Sequence, residues 1–159
     1  MIVFVPATVS KAVLIQPFIP RLRACLHDHN SKAEAAHRIR VRLAVHAGEV
    51  VRGPHGWIGT DLNLTCRLVD SAPLREELLL RPHADLVVAL SDVVHRAVVR
   101  HGHRGIEANA YTEVPLKVKE VATRAWIHTQ VREDRHVVID LRAPDRQSRS
   151  GTAAAAATS

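Results

Sequence analysis

Asn63 and Arg67 stand four positions apart in a segment with the composition of a helix. Residues at this spacing share one helix face, so an amide and a guanidinium lie side by side. Thr60 or Asp61 can cap a helix that begins there, and the free backbone N–H groups of its first turn favour anions. The planar fork of an arginine holds two phosphate oxygens at once. This spacing is compatible with phosphate binding at the start of the helix.

A strand, a glycine turn and a glycine loop precede the helix, and the pattern runs in a fixed order: His46, Gly48, Glu49, Gly59, Asn63, Arg67 and Leu68. This order resembles the catalytic domain of the class III adenylate and guanylate cyclases, and the flanking elements extend the match to about Thr129. The resemblance implies that Asn63 orients a ribose and that Arg67 stabilises charge on a transferring phosphoryl group. It also implies that Gly59 and Thr60 lie against the nucleotide. Without this context, the favoured interpretation is that Asn63 is a helix-start residue and Arg67 a surface charge.

A further match lies in the segment from Val114 to Lys119. It resembles the strand and turn that bring a phosphate-binding lysine into the cyclase active site. Lys119 is the first choice for that role, and Lys117 is the second. The alternative is that this lysine pair keeps the edge of a sheet solvated and unpaired.

The chain also departs from the cyclase pattern. Class III cyclases bind two metal ions through two aspartates, one on the first strand and one in the following hairpin. Neither aspartate has a counterpart here, because the segment from Met1 to Val5 resembles the strand after that hairpin. We therefore expect no metal on this chain alone, and Mg²⁺ or Mn²⁺ with a nucleoside triphosphate only if missing sequence or a partner completes the site. Gly56 replaces a polar residue that often selects the purine, so the choice between ATP and GTP stays open.

Composition narrows the class of protein. The 159 residues are 47% apolar and 3% aromatic, which suits one domain with an aliphatic core. The net charge is +6, but 18 of the 22 basic residues are arginine, a bias that fits a GC-rich bacterial coding sequence, so nucleic acid is an unlikely partner. Cys25 and Cys66 lack disulfide or metal spacing and favour a reduced, cytoplasmic protein. Prolines interrupt the apolar N-terminal region, so we expect neither a signal peptide nor a membrane span.

Other chemistries find less support. The pairs His27/His29 and His101/His103 have no accompanying cysteine or glutamate motif, so we predict no metal site. His46 is expected to pack at its turn rather than act as a general base. A serine in a Gly-x-Ser-x-Gly turn is absent from the sequence, which argues against a hydrolase.

Periodicity and breaker residues predict the elements as follows: a buried strand at 2–5, a helix at 11–29 capped by Ser10 and ended by Asn30, a strand at 37–47, a turn at 51–58, a helix at 60–80 broken at Pro73, a strand at 85–90, a helix from Ser91 to His101, and paired strands at 111–119 and 123–129. The alternation of strands and helices predicts an α/β fold, arranged as an α+β sandwich. The resemblance implies a ferredoxin-like nucleotidyl cyclase fold with a mainly antiparallel sheet that lacks the first strand and its helices.

The predicted strand at 37–47 has one apolar face and one polar face, the latter with Arg38, Arg40, Arg42 and His46. The polar face is expected to meet a dimer partner or solvent. We place the cyclase-like domain at residues 1–131. Residues 132–159 are predicted to be a disordered tail, apart from a short strand at 136–141.

Three functional hypotheses remain open. The preferred one is a cyclase-homology domain that is inactive alone and acts in signal transduction as a dimerisation or nucleotide-sensing regulatory module. The second is an active cyclase that converts ATP or GTP into a 3',5'-cyclic nucleotide once missing sequence or a cyclase-like partner chain supplies the metal aspartates. The third is a fragment without independent function.

Overall fold

A computed structural model describes residues 1–103, 106–118 and 121–129 of the chain. Its strands are β1 (Val41–Val45), β2 (Val51–Gly53), β3 (Gly56–Ile58), β4 (Leu86–Ser91), β5 (Thr112–Val118) and β6 (Val121–Thr129). Its α-helices are α1 (Lys11–Val13), α2 (Ile19–Lys32), α3 (Thr60–Val69), α4 (Ala72–Leu80) and α5 (Asp92–Ala97). A π-helical turn at Leu14–Phe18 joins α1 to α2, and short 3₁₀ turns lie at Ala35–His37, Val99–His101 and Ala108–Ala110.

The strands form a four-stranded sheet in the order β1-β4-β6-β5 and a separate hairpin of β2 and β3. β1 runs parallel to β4, whereas the β4–β6 and β5–β6 pairs are antiparallel. A parallel pair needs a long crossover connection, and the segment that contains α3 and α4 provides it. The prediction of a mixed α/β fold is confirmed, and two of the three pairings in the main sheet are antiparallel.

Helices cover both faces of the main sheet, and β4 supplies residues to both cores. On one face Leu86, Val88 and Leu90 pack with apolar residues of α1, α2 and α5. On the other face Val87 and Ala89 pack with residues of α3 and α4. Because all six residues of β4 are buried, this strand has an uninterrupted apolar sequence instead of an alternating one.

The polar face predicted for this strand is partly solvated, since Arg38 and Arg40 are exposed, and its arginines also contact the ends of helices. The Arg40 guanidinium donates hydrogen bonds to the carbonyls of Leu78, Arg81 and Ala84 near the end of α4. Arg42 pairs with Asp70 at the end of α3, with 3.4 Å between nitrogen and oxygen. Arg40 therefore satisfies carbonyls at and after the end of α4, and Arg42 forms an ion pair with a residue at the end of α3.

The predicted buried strand at residues 2–5 is wrong. Residues 1–6 form no strand, and the side chains of Met1 to Val5 are exposed. A strand needs a neighbour to pair with, and within the described part of the chain no strand pairs with this segment. The high β-propensity of residues 2–5 is therefore not sufficient to make them a strand.

Most helix signals are confirmed, with shifts at the boundaries. Ser10 caps α1 as predicted, its hydroxyl accepting from the Ala12 N–H. Asn30 does not end the helix, because α2 continues to Lys32. Pro73 marks the break between α3 and α4, where it begins the second helix. The predicted turn at 51–58 contains the β2–β3 hairpin. Lys119 and the tail at 132–159 lie outside the described residues.

Candidate functional site

The predicted phosphate-binding residues lie at the start of α3. Gly59 is the N-cap of this helix and Thr60 is its first residue. Asn63 is exposed and Arg67 is half-buried, one helical turn further along. The first intrahelical bond runs from the Asn63 N–H to the Gly59 carbonyl at 3.2 Å, so the preceding N–H groups of the first turn are left without helical acceptors. Four of the five predicted site residues thus lie within the first two turns of one helix, and the fifth is Lys119.

Gly59 is required by a close backbone contact. A Cβ atom at this position would lie 2.9 Å from the carbonyl oxygen of Glu49. That distance is shorter than real Cβ contacts, so a larger residue would push the helix start away from the turn after β1. The first glycine of the helix motif therefore fixes where α3 begins relative to the sheet.

His46 connects three elements through its ring nitrogens. Nδ1 lies 2.8 Å from the Ser91 hydroxyl at the end of β4, and Nε2 lies 3.1 Å from Oδ1 of Asp61 in α3. A neutral ring with its proton on Nε2 satisfies both contacts, since it donates to the carboxylate and accepts from the hydroxyl. The end of β1, the end of β4 and the first turn of α3 are joined by this one side chain.

Asp61 extends the network back to the turn after β1. Its Oδ2 accepts a 2.7 Å hydrogen bond from the Glu49 N–H. This bond, together with the one from His46, lowers the pKa of the Asp61 carboxyl below its usual range. A Cβ atom at Gly48 would overlap the Asp61 side chain. The predicted capping role of Asp61 is wrong, because its carboxylate binds this turn and makes no side-chain cap to α3.

Ser91, His46 and Asp61 have the residue types of a hydrolase triad, but their burial argues for a structural role. Ser91 is 5% exposed, and the His46 side chain is 4% exposed. A nucleophile must reach a substrate, whereas this hydroxyl is enclosed at the junction of β4 and α5. The expectation that His46 packs at its turn agrees with this geometry. Sequence reasoning missed Ser91 as its partner, since 45 positions separate the two residues and the sequence carries no local signal for the contact.

Asn63 and Arg67 stand outside this network. Within the described ranges, neither side chain has a hydrogen bond or ion pair with another protein group. His46 and Asp61 are used to hold α3 in place, whereas these two residues remain available. Together with the first-turn N–H groups, they could contact an anion without breaking an internal interaction.

The residues around the start of α3 do not fit a two-metal site. No group of three or more His, Cys, Asp or Glu side chains suited to a metal is found in the described part of the chain. The carboxylate of Asp61 is already bound to His46 and to the Glu49 N–H. A metal at this position would have to compete with both bonds.

Comparison with family models, with curated proteins and with solved structures identifies no match to this chain. The site is therefore interpreted from its own residues and geometry. Among the described helices, none has the length and hydropathy needed to cross a membrane.

Proposed function

We propose that this chain is a cyclase-homology domain that acts as a regulatory module, binding ATP or GTP and dimerising without producing cyclic nucleotide alone. The proposed nucleotide contacts are the start of α3 at Gly59 and Thr60, the side chains of Asn63 and Arg67, and Lys119. The observation that carries the proposal is the availability of Asn63 and Arg67 on a helix that His46 and Asp61 hold against the sheet.

The start of α3 and the charge of Arg67 support the choice of a phosphate ligand. The first turn of α3 offers free N–H groups and the positive end of the helix dipole. Arg67 adds a permanent charge one turn beyond Asn63, at a half-buried position where less water competes for it. An amide beside a guanidinium suits a ribose hydroxyl next to a phosphate.

The main sheet supports the proposal that the fold is a ferredoxin-like cyclase domain without its first strand. Two of the three strand pairings in the main sheet are antiparallel, in line with the mainly antiparallel sheet that the resemblance implies. β1 lies at the edge of this sheet, where a further strand could be added.

We expect no catalysis by the chain alone, because the two metal-binding aspartates of the cyclases have no counterpart in it. Without two carboxylates to hold metal ions, the triphosphate keeps its full charge and the attacking hydroxyl is not activated. We therefore expect binding with turnover reduced by many orders of magnitude. A partner chain that contributes those carboxylates would turn the same contacts into half of an active site.

Calorimetric titration of the full chain with ATP and with GTP, with and without Mn²⁺, tests the proposal. The parent protein is expected to bind at least one of them. Arg67→Ala should weaken binding by about 10- to 100-fold, the usual effect of losing a charge-assisted hydrogen bond. Arg75→Ala, at an exposed arginine of α4, is the matched control and should bind like the parent.

Two outcomes would overturn the proposal. Absence of binding by the folded parent would remove the nucleotide-sensing role. Cyclic-nucleotide production by the chain alone, lost in Arg67→Ala, would establish an active cyclase instead of a regulator.

A further inference from the structure

The two edges of the main sheet differ in how they are protected. β5 carries Pro115 in its middle, and proline is a common device against pairing at an edge. β1 has no proline, and within the described ranges no strand pairs with its outer edge. Its first four residues are half-buried, whereas every residue of β4 is buried. β1 is therefore the unprotected edge of the sheet.

The register shows which groups of β1 point outward. The Val41 N–H donates to the Asp85 carbonyl at 2.9 Å, and β1 runs parallel to β4. In a parallel pair, alternate residues direct their N–H and C=O groups to the same neighbour. Val41, Leu43 and Val45 thus bond to β4, while Arg42 and Ala44 present their backbone groups to the open side.

The charged residues of β1 do not protect this edge. An edge strand is often guarded by a long charged side chain that extends over it. Here the Arg42 guanidinium is drawn to Asp70, and the Arg40 guanidinium just before β1 binds carbonyls at the end of α4. Both arginines therefore lie over the α3–α4 face of the sheet.

An apolar segment suited to this edge is exposed elsewhere on the same chain. Residues Ile2, Val3, Phe4 and Val5 are β-forming types, and Ile2 and Val3 are 53% and 68% exposed. Pro6 follows them and limits the length of a strand. The Phe4 ring stacks on Trp57 of β3, with ring centroids 4.6 Å apart. The segment is therefore held at the β2–β3 hairpin without pairing to a strand.

We propose that the segment Ile2–Val5 of one copy adds to the outer edge of β1 of a second copy, and that reciprocal addition forms a symmetric dimer. The four residues before Pro6 match the five residues of β1 in length. The Ile2–Val5 segment has no charged side chain and the Arg42 guanidinium is directed to Asp70, so pairing would bury apolar side chains and satisfy the outward backbone groups of Arg42 and Ala44. This inference names the surface for the dimerisation part of the proposed function, on which it rests.

Sedimentation velocity over a range of concentrations tests the dimer. The parent chain should form dimers. Arg42→Pro should be monomeric, because proline removes only an outward N–H and adds a ring at the edge. Arg42→Ala keeps that N–H and loses the same side chain, so it should remain dimeric. The double variant Val3→Lys/Val5→Lys, at two exposed positions, should be monomeric and folded like the parent.

A mixing experiment tests the pairing itself. Arg42→Pro keeps an intact segment, and Val3→Lys/Val5→Lys keeps an intact edge. An equimolar mixture should therefore give a heterodimer with one junction, weaker than the parent dimer, although neither variant dimerises alone. A monomeric parent at about 200 µM, a dimeric segment variant, or a mixture without heterodimer would each overturn the inference. Unchanged ATP or GTP binding by the segment variant would separate this result from the nucleotide-sensing proposal.

Discussion

His46, Gly48 and Asp61 show how much of a sequence motif can serve packing at the residue scale. The histidine and the aspartate share a 3.1 Å contact, and the glycine leaves room for the aspartate side chain. The geometry makes all three residues supports for α3. Asn63 and Arg67 take no part in those supports, so they are the residues to which we assign the proposed nucleotide contacts.

Gly48→Ala should destabilise the fold by about 2–3 kcal/mol. The added Cβ would overlap Asp61 and displace a carboxylate that holds both His46 and the Glu49 N–H. Urea denaturation monitored by circular dichroism measures this loss. Gly53→Ala is the control, since its Cβ would meet Ile58 at an ordinary 3.4 Å, and it should cost less than about 1 kcal/mol. Equal losses in both variants would argue against a role for the Asp61 contact.

At the scale of elements, Asn30 joins α2 to two strands. Its side chain is fully buried, accepts from the Ile39 N–H at 2.7 Å and donates to the Ile39 carbonyl at 2.7 Å. It also donates to Asp85, just before β4, at 2.7 Å. One amide therefore gives several polar groups their hydrogen-bond partners. Burying such groups without partners would cost several kcal/mol. The sequence interpretation of Asn30 as a helix terminator missed this long-range role.

Asn30→Ala is expected to lower the free energy of unfolding by about 2–4 kcal/mol, because it removes three hydrogen bonds that a buried side chain makes to Ile39 and Asp85. Asn63→Ala removes the same side chain from an exposed position and should change stability by about 0.5 kcal/mol or less. Chemical denaturation of the two variants gives the comparison. A large loss for Asn63→Ala would mean that this residue is structural, which would also weaken its assignment to the nucleotide site.

At the scale of the whole molecule, the buried histidines tie stability to pH. His95 is buried and stacks on Trp126 with ring centroids 3.5 Å apart, and neither ring nitrogen has a hydrogen-bond partner among the described residues. Burial lowers the pKa of His95, and the charge of Asp92 opposes this only in part. Burial also lowers the pKa of His128, which contacts the Ala110 carbonyl. Both rings are therefore held neutral in the folded state.

Thermal stability should fall as the pH drops from about 7.5 to 5. The folded-state pKa of His95 lies below the usual value of 6.5, so the unfolded chain binds more protons in this range. The histidine contribution is therefore present above pH 6.5 and is lost as the pH falls toward the folded-state pKa. His95→Phe keeps a ring on Trp126 and should flatten the pH dependence of the melting temperature. His83→Phe, at an exposed histidine, should leave the dependence unchanged; equal slopes in all three proteins would contradict a role for His95.

Local signals predicted most of the helices and strands. Ser10 before a helical run, Pro73 inside one and the apolar run from Leu86 to Leu90 each act through nearby backbone groups or through burial on both faces, so their effects can be recognised in sequence. The prediction of an N-terminal strand was wrong for the opposite reason. A strand needs a partner, and sequence alone does not state which partners are present.

The candidate site also has some features that the sequence predicted and others that it could not predict. The spacing of Gly59, Thr60, Asn63 and Arg67 predicted that they share the start of one helix, because helix geometry depends only on sequence separation. The partners of His46 could not be predicted, since Asp61 and Ser91 lie 15 and 45 positions away. Nor did the alternation of Arg40 and Arg42 reveal that they would bind groups at the ends of α4 and α3.

The sequence by itself determined the mixed α/β class, the positions of the main elements and the helix that carries Asn63 and Arg67, because local spacing and apolar periodicity control each of these features. Only the tertiary structure decided that Asp61 supports His46, that Asn30 joins α2 to the sheet and that β1 is left as an open edge. Those features depend on contacts between residues distant in the chain, and the balance of burial and hydrogen bonding that selects them exists only once the elements are packed together.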